Sequence, residues 1–274
     1  MSQPGLNRRE MLALLGAVAA PQARADGGLL QATRIEHFGL TVPDIAKSMS
    51  FYRALFGNEV LKDSASERRY LRLGPCYLAI APPTRPEQTI RIDHLSVGVS
   101  NYNGASIKAS LEKAGIEVRE SKFGLFVADP DGTSVQIWSD DSWNELDNAA
   151  PEAVTGPEPL FRSRGMHHMA IRVSDAGRSA EFYAKLFGPG TVGPGDPPRP
   201  RLQAGESGVI LYPPVAGKTP DVDHFSVLVD PFDPVAAVAK LQALGANAKL
   251  SQNGTLPEFF DPDGIRLQVT PLGG

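Results

Sequence analysis

The sequence predicts an α+β fold of four βαβββ modules arranged as two similar domains in tandem, and three repeats within it carry that prediction. One strand-like stretch occurs four times with a histidine at the same place: IEHFGLTV from Ile35, IDHLSVGV from Ile92, MHHMAIRV from Met166 and VDHFSVLV from Val222. FYRALFG, starting at Phe51, returns as FYAKLFG at Phe182. ADPDGTSVQIW around Asp129 returns as FDPDGIRLQVT around Asp261, so the chain repeats itself after about 131 residues.

Each histidine stretch opens a module as a strand, because its residues alternate between two faces. One face is apolar: Phe38, Leu40 and Val42; Leu95, Val97 and Val99; Met169, Ile171 and Val173; Phe225, Val227 and Val229. The other carries His37 then Gly39, His94 then Ser96, His168 then Ala170, and His224 then Ser226. A histidine followed two positions later by a small residue sits on a roomy face, where it can reach a ligand.

A helix follows each strand. Asp44 caps a helix over residues 45–56 that stops at Gly57, and Ile107 and Leu111 mark a second before Gly115. Asp175 starts the third, which stops at Gly188, and Asp233-Pro234 opens the fourth, which stops at Gly245. Short strands complete each module. The clearest are residues 125–128 and 134–138 around the Asp129-Pro130-Asp131-Gly132 turn, and residues 258–260 and 265–270 around Asp261-Pro262-Asp263-Gly264. Turn chemistry accounts for the hairpin aspartates, and Tyr52 and Tyr183 read as packing residues. The domains span residues 34–138 and 165–270, joined by a Pro-, Asp-, Asn- and Glu-rich linker over 139–164.

Composition narrows the function classes. With 42% hydrophobic and 21% charged residues and a net charge of -4, the chain reads as globular, with no basic surface for nucleic acid or acidic lipid. A single cysteine, Cys76, excludes an internal disulfide framework. Residues 1–25 read as a signal peptide of the twin-arginine type: Arg8-Arg9, an apolar run from Met11 to Ala20, then Ala23-Arg24-Ala25 as a cleavage site. The expected product is periplasmic or otherwise exported, begins near Asp26, has no membrane attachment after cleavage, and is a monomer or homodimer.

Paired βαβββ modules, a histidine on the first strand, an FYxxLFG helix end and a DPDG hairpin leading into the last strand together resemble the vicinal-oxygen-chelate superfamily. That group includes glyoxalase I, bleomycin-resistance proteins and extradiol dioxygenases. The resemblance implies two glyoxalase-like domains. It also implies a divalent metal (Fe, Mn, Zn or Ni) held by His37, His94 and Gln136 in the first domain and by His168, His224 and Gln268 in the second. Strand alternation agrees on where the glutamines stand: Gln136 shares a face with Ser134 and Trp138, and Gln268 shares one with Arg266 and Thr270.

The chain departs from the family pattern at the third ligand, where glutamate is usual. A carboxylate brings charge to the cation, whereas an amide oxygen brings only a dipole, so the expected site is weaker and more electrophilic. Leu78 and Val209 are expected at the place of a fourth ligand, leaving three protein donors and open positions. Arg172 and Arg266 share the ligand face and are candidates for holding a small oxygen-rich substrate, with a solvated strand end as the alternative. Residues 193–201 read as a loop over the second cleft, His167 as a strand-edge residue, and Asp93 and Asp223 as facing away. These features lead to redox-neutral isomerase or lyase chemistry on vicinal oxygens, with no residue assigned as general base. Two alternatives stay open: an extradiol-type iron dioxygenase, for which the five histidines leave none spare as acid-base, and a non-catalytic protein that sequesters a small molecule.

Overall fold

The computed structural model describes residues 27–86, 88–195, 197–251 and 254–273; the expected signal peptide lies outside them. The first module runs β1 (Ala32–Thr41), α1 (Ile45–Phe56), β2 (Val60–Asp63), β3 (Arg69–Leu73), β4 (Cys76–Ala81). The second runs β5 (Arg91–Val99), α2 (Gly104–Lys113), β6 (Arg119–Ser121), β7 (Gly124–Ala128), β8 (Ser134–Ser139). After β9 (Ala149–Pro151), the third runs β10 (Ser163–Arg172), α3 (Ala176–Phe187), β11 (Thr191–Gly193), β12 (Arg199–Ala204), β13 (Ser207–Tyr212). The fourth runs β14 (Asp221–Val229), α4 (Pro234–Ala243), β15 (Lys249–Leu250), β16 (Pro257–Phe260), β17 (Arg266–Pro271).

Modules one and two form a nine-stranded sheet, β6-β7-β8-β5-β1-β4-β3-β2-β9, and modules three and four an eight-stranded one, β11-β12-β13-β10-β14-β17-β16-β15. The ninth strand is a departure from the sequence reading. Residues expected to be plain linker pair antiparallel with β2, Leu61 opposite Pro151 and Asp63 opposite Ala149. Among the described residues of 193–201, expected as a loop, only the ends are strand: Gly193 closes β11 and residues 199–201 open β12, with Gly193 opposite Arg199. None of the described helices is long and apolar enough to cross a membrane.

The helix starts follow the caps. Asp44, Asp175 and Asp233 each accept backbone N–H bonds from the first turn of α1, α3 and α4, and Asn103 does so for α2. The apolar strand face forms the core: Phe38, Leu95, Val97, Met169, Phe225 and Val227 are fully buried. Burying each such side chain contributes roughly 1.5–3 kcal/mol.

The chain divides into two compact units that are not the two halves of the duplication. One joins Val97–Asp140 with His168–Asp223 and the described residues up to Ile35; the other joins Glu36–Ser96, Asp141–His167 and His224–Gly274. The repeated motifs explain the division. In the second of these units, Asp261 closes its own turn by accepting through Oδ1 from the Asp263 and Ile265 amides at 2.9 and 2.8 Å. Its Oδ2 accepts from the Tyr52 hydroxyl at 2.8 Å. Asp263 accepts from the Ser48 hydroxyl at 2.6 Å, and Lys47 donates to the Pro262 carbonyl at 3.1 Å. The first unit repeats the joint. Asp129 Oδ2 accepts from the Tyr183 hydroxyl at 3.1 Å, and Asp131 accepts from the Ser174 amide and from Arg178 at 2.8 and 3.1 Å.

Tyr52 and Tyr183 are therefore more than packing, and turn chemistry explains only half of each leading aspartate. Each joint is a buried hydrogen bond to a carboxylate, worth about 1.5–3 kcal/mol. Burial pushes both tyrosines well above their usual range, helped by the facing carboxylate. Burial also raises Asp129 and Asp261, against the hydrogen bonds that pull them down.

Candidate metal centre

His37 and His94 come together. Their Nε2 atoms lie 3.2 Å apart and their rings meet edge to face, with centroids 5.3 Å apart. Each ring is held from behind by the carboxylate of the preceding residue: His37 Nδ1 faces Glu36 Oε2 at 2.9 Å, and His94 Nδ1 faces Asp93 Oδ2 at 3.1 Å. An ionised carboxylate can only accept, so each Nδ1 carries the hydrogen and each Nε2 is the atom presented. Two imidazole nitrogens on one metal, each about 2.1 Å from it, stand roughly 3.0–3.4 Å apart for angles between octahedral and tetrahedral. The observed separation falls in that range. Asp93, expected to face away from the site, lies behind the His94 ring on its Nδ1 side, and the His94 bond holds its carboxyl down at about 2.

The small residue after His37 now has a reason. A Cβ on Gly39 would stand 2.1 Å from His94 Cε1, so the ring occupies the space a side chain would need. The parallel register sets Tyr77 of β4 opposite His37. The two rings stack with centroids 4.5 Å apart and planes 19° from parallel. The Tyr77 hydroxyl lies 3.1 Å from that of Ser142, Trp143 packs 5.6 Å away, and Arg72 sits over the Trp143 ring. This aromatic wall was missed from sequence, although the β1–β4 register is enough to find it.

The same register corrects the fourth-ligand position. Gln268 stands opposite Ser226, two residues beyond a histidine. The equivalent places are Ala79, opposite Gly39, and Ile210, opposite Ala170. Leu78 and Val209, expected there, are one residue off and fully buried on the core face. A shift of one residue in a strand exchanges its faces. The position remains apolar.

Both glutamines are buried and tethered by nitrogen. Gln136 Nε2 donates to the Phe123 carbonyl at 2.6 Å, and Gln268 Nε2 donates to Glu258 Oε1 at 2.9 Å. Each partner can only accept, which fixes the amide orientation. Each glutamine therefore has its carbonyl oxygen left to offer, the atom a cation would take. In the fourth module His224 is fully buried and lies on the same strand face as Ser226, whose hydroxyl is 2.8 Å from that of Thr270. His168 is also buried. Among the described residues no three His, Cys, Asp or Glu side chains gather as a metal cluster.

The candidate substrate arginines are both engaged by carboxylates. Arg172 pairs with Asp223, and Arg266 pairs with Glu258 at 2.9 Å. Asp223, expected to face away, and Glu258, not singled out in the sequence, supply those carboxylates.

The family model described as the Glyoxalase/Bleomycin resistance protein/Dioxygenase superfamily matches residues 34–137 and again 165–269. Among solved structures, the 2,3-dioxygenase LapB from Pseudomonas sp. KL28 is similar with a TM-score of 0.63 at 14% identity, over 88% of this chain and 93% of that one. The Mn(II)-bound glyoxalase from Novosphingobium aromaticivorans gives 0.62 at 16%, over 88% and 83%. BphC, described as a halotolerant catechol dioxygenase, gives 0.62 at 14%, over 87% and 86%. No curated protein matches the sequence. At these identities the structural likeness speaks for the fold alone, while the family model matches twice and its two matches together cover most of the chain: the chain belongs to the glyoxalase/bleomycin resistance protein/dioxygenase superfamily, with two glyoxalase-like domains in tandem.

Proposed function

We propose that this chain is an exported, metal-dependent enzyme that binds two adjacent oxygens of a small molecule and carries out redox-neutral isomerase or lyase chemistry. His37, His94 and Gln136 would hold a divalent cation in the first domain, and His168, His224 and Gln268 one in the second. The observation that carries this reading is the histidine pair, two Nε2 atoms at 3.2 Å with both Nδ1 atoms tied to carboxylates. A bound divalent cation would supply Lewis-acid stabilisation of an enolate or oxyanion on the substrate. The chain's own part is to aim and to tune. Glu36 and Asp93 fix the tautomer and direction of the rings, and such partners raise ligand basicity. The neutral glutamine leaves the cation's charge undiminished, which favours electrophilic work. The apolar Ala79 and Ile210 add no further donor, so coordination positions stay open to the substrate.

Ring cleavage with iron and oxygen is the second reading. The fold likeness to LapB and BphC favours it, and the glutamine weighs against it, because two histidines and a carboxylate suit non-heme iron oxygenases.

Elemental mass spectrometry of the purified folded protein tests both readings, with His94→Ala and His224→Ala alongside. One or two equivalents of divalent metal, lost domain by domain in the variants, supports the proposal. Iron together with ring cleavage of a catechol would move it to the second reading. No metal, and none taken up on reconstitution, would leave a protein that binds a small molecule without transforming it. N-terminal sequencing of the exported product tests the cleavage near Asp26.

A further inference from the structure

We propose that Glu258 is the positioning residue of the second-domain centre: it accepts the Gln268 Nε2–H and so fixes the amide with its carbonyl oxygen presented to the metal. The inference rests on the metal reading above and names a device that reading does not contain.

A glutamine amide rotates about its last bond between two states of nearly equal shape, because that torsion is broad and roughly two-fold. In one state it offers an oxygen to a cation, and in the other it offers two N–H groups that the cation repels. An untethered glutamine therefore makes a poor ligand, whereas a glutamate has no wrong end. A chain with glutamine at this position needs something to remove the wrong state. The β16–β17 register sets Glu258 directly opposite Gln268, and directly opposed residues of an antiparallel pair share a face. The Gln268 nitrogen lies 2.9 Å from Glu258 Oε1. Glu258 Oε2 faces the Arg266 guanidinium at 2.9 Å. With one carboxylate oxygen bonded to the amide and the other to the arginine, Glu258 is arranged as an anchor rather than as a ligand. Arg266 then has a task of its own, balancing the charge and holding that anchor in place.

The first domain meets the same need by different means. Both Phe126 and Glu258 stand three residues before the leading aspartate of their hairpin, and Phe126 faces Gln136 across the ladder. A phenylalanine cannot tether an amide, and there the Phe123 backbone carbonyl accepts the Gln136 nitrogen at 2.6 Å. Two unrelated acceptors thus tie down the amide nitrogen in both copies of the repeated fold. In each copy that leaves the carbonyl oxygen as the atom to be used.

The test uses the full chain carrying His94→Ala, which disables the first-domain centre, and follows Mn(II) binding by calorimetry and electron paramagnetic resonance. Glu258→Leu and Gln268→Leu are each expected to weaken Mn(II) binding by about 10–100-fold, the range for lost partners of metal ligands. The double variant should be no weaker than Gln268→Leu, since Glu258 acts through Gln268. Glu258→Gln combined with Arg266→Met, in which the new amide nitrogen no longer faces a guanidinium and the amide oxygen can still accept the Gln268 N–H, should hold Mn(II) nearly as the parent does. A large loss in that variant, or a further loss in the double leucine variant, would make Glu258 a direct ligand and overturn the inference. So would parental binding in Glu258→Leu. The Glu258→Gln variant with Arg266→Met decides the matter if the leucine variant does not fold. No Mn(II) binding in the parent would instead strike the metal reading itself, and this inference with it.

Discussion

The two domains carry the same histidines and glutamine and surround them differently. In the first, both residues ahead of the histidines are carboxylates that hold the rings, Tyr77 stacks on His37 and Phe126 faces Gln136. In the second, the corresponding residues are His167 and Asp223, with Asp223 taken by Arg172, while Gly208 stands in place of Tyr77 and Glu258 in place of Phe126. A Cβ added to Gly208 would meet nothing closer than 3.6 Å, so the strand beside His168 leaves space where the first domain is filled by an aromatic ring. The residues proposed as donors recur in both halves while the walls around them differ. That is the pattern expected of two centres with a shared cation chemistry and different substrates.

The largest expected effect breaks the comparison at Gly39. Gly39→Ala drives a methyl into the His94 ring and is expected to cost the first domain its metal while the second keeps its own. Ala170→Gly, at the equivalent place, is expected to leave metal content unchanged; elemental analysis of the two variants checks both. The joints of the two compact units come next. Tyr52→Phe leaves the buried Asp261 oxygen without its donor, and the expected cost is about 1–3 kcal/mol in urea unfolding. Tyr183→Phe, whose bond is longer at 3.1 Å, should cost less. Removing the hydroxyl raises Asp261 further above its unfolded value. The folded state then gains more from protonation, so the penalty of Tyr52→Phe should shrink as pH falls from about 7 toward about 4.

Glu36→Gln sharpens the comparison within the first domain. It removes the charged acceptor behind His37 and should weaken metal binding there by about tenfold or more, with the second domain unaffected in a domain-resolved titration. The smallest effect belongs to the extra strand. The Arg69–Glu152 ion pair beside β9 is part-exposed, and Glu152→Ala should cost under about 1 kcal/mol in the same unfolding assay.

What the sequence discloses follows physical lines. Face alternation, three aspartate caps and the two DPDG turns are local and were readable. Asn103 was not, because Ser100-Asn101-Tyr102-Asn103 offers several equally good caps. The one-residue error at Leu78 arose in Cys76–Ala81, an apolar run without alternation, where only pairing with β1 settles the face. β9 is three residues long and carries no period at all. Glu36 and Asp93 start on the strand face away from the histidines and reach them because their side chains can fold back over one residue, which a two-residue period does not describe. Glu258 needed the β16–β17 register, although its offset from the hairpin motif was available. The donors are written along the chain, and the groups that aim them are written across it.

The tyrosine–aspartate joints bear on how such a chain could arise. Residues 34–138 hold Tyr52, whose partner Asp261 lies in the other half, and Asp129, whose partner Tyr183 also lies there. A lone half would present one hydroxyl and one carboxylate unmet, and two copies of it would present each to the other twice, the self-complementary condition for a two-fold dimer. Fusing such halves end to end would convert a concentration-dependent encounter into an intramolecular one. From then on each copy could change its walls without having to remain a match for itself.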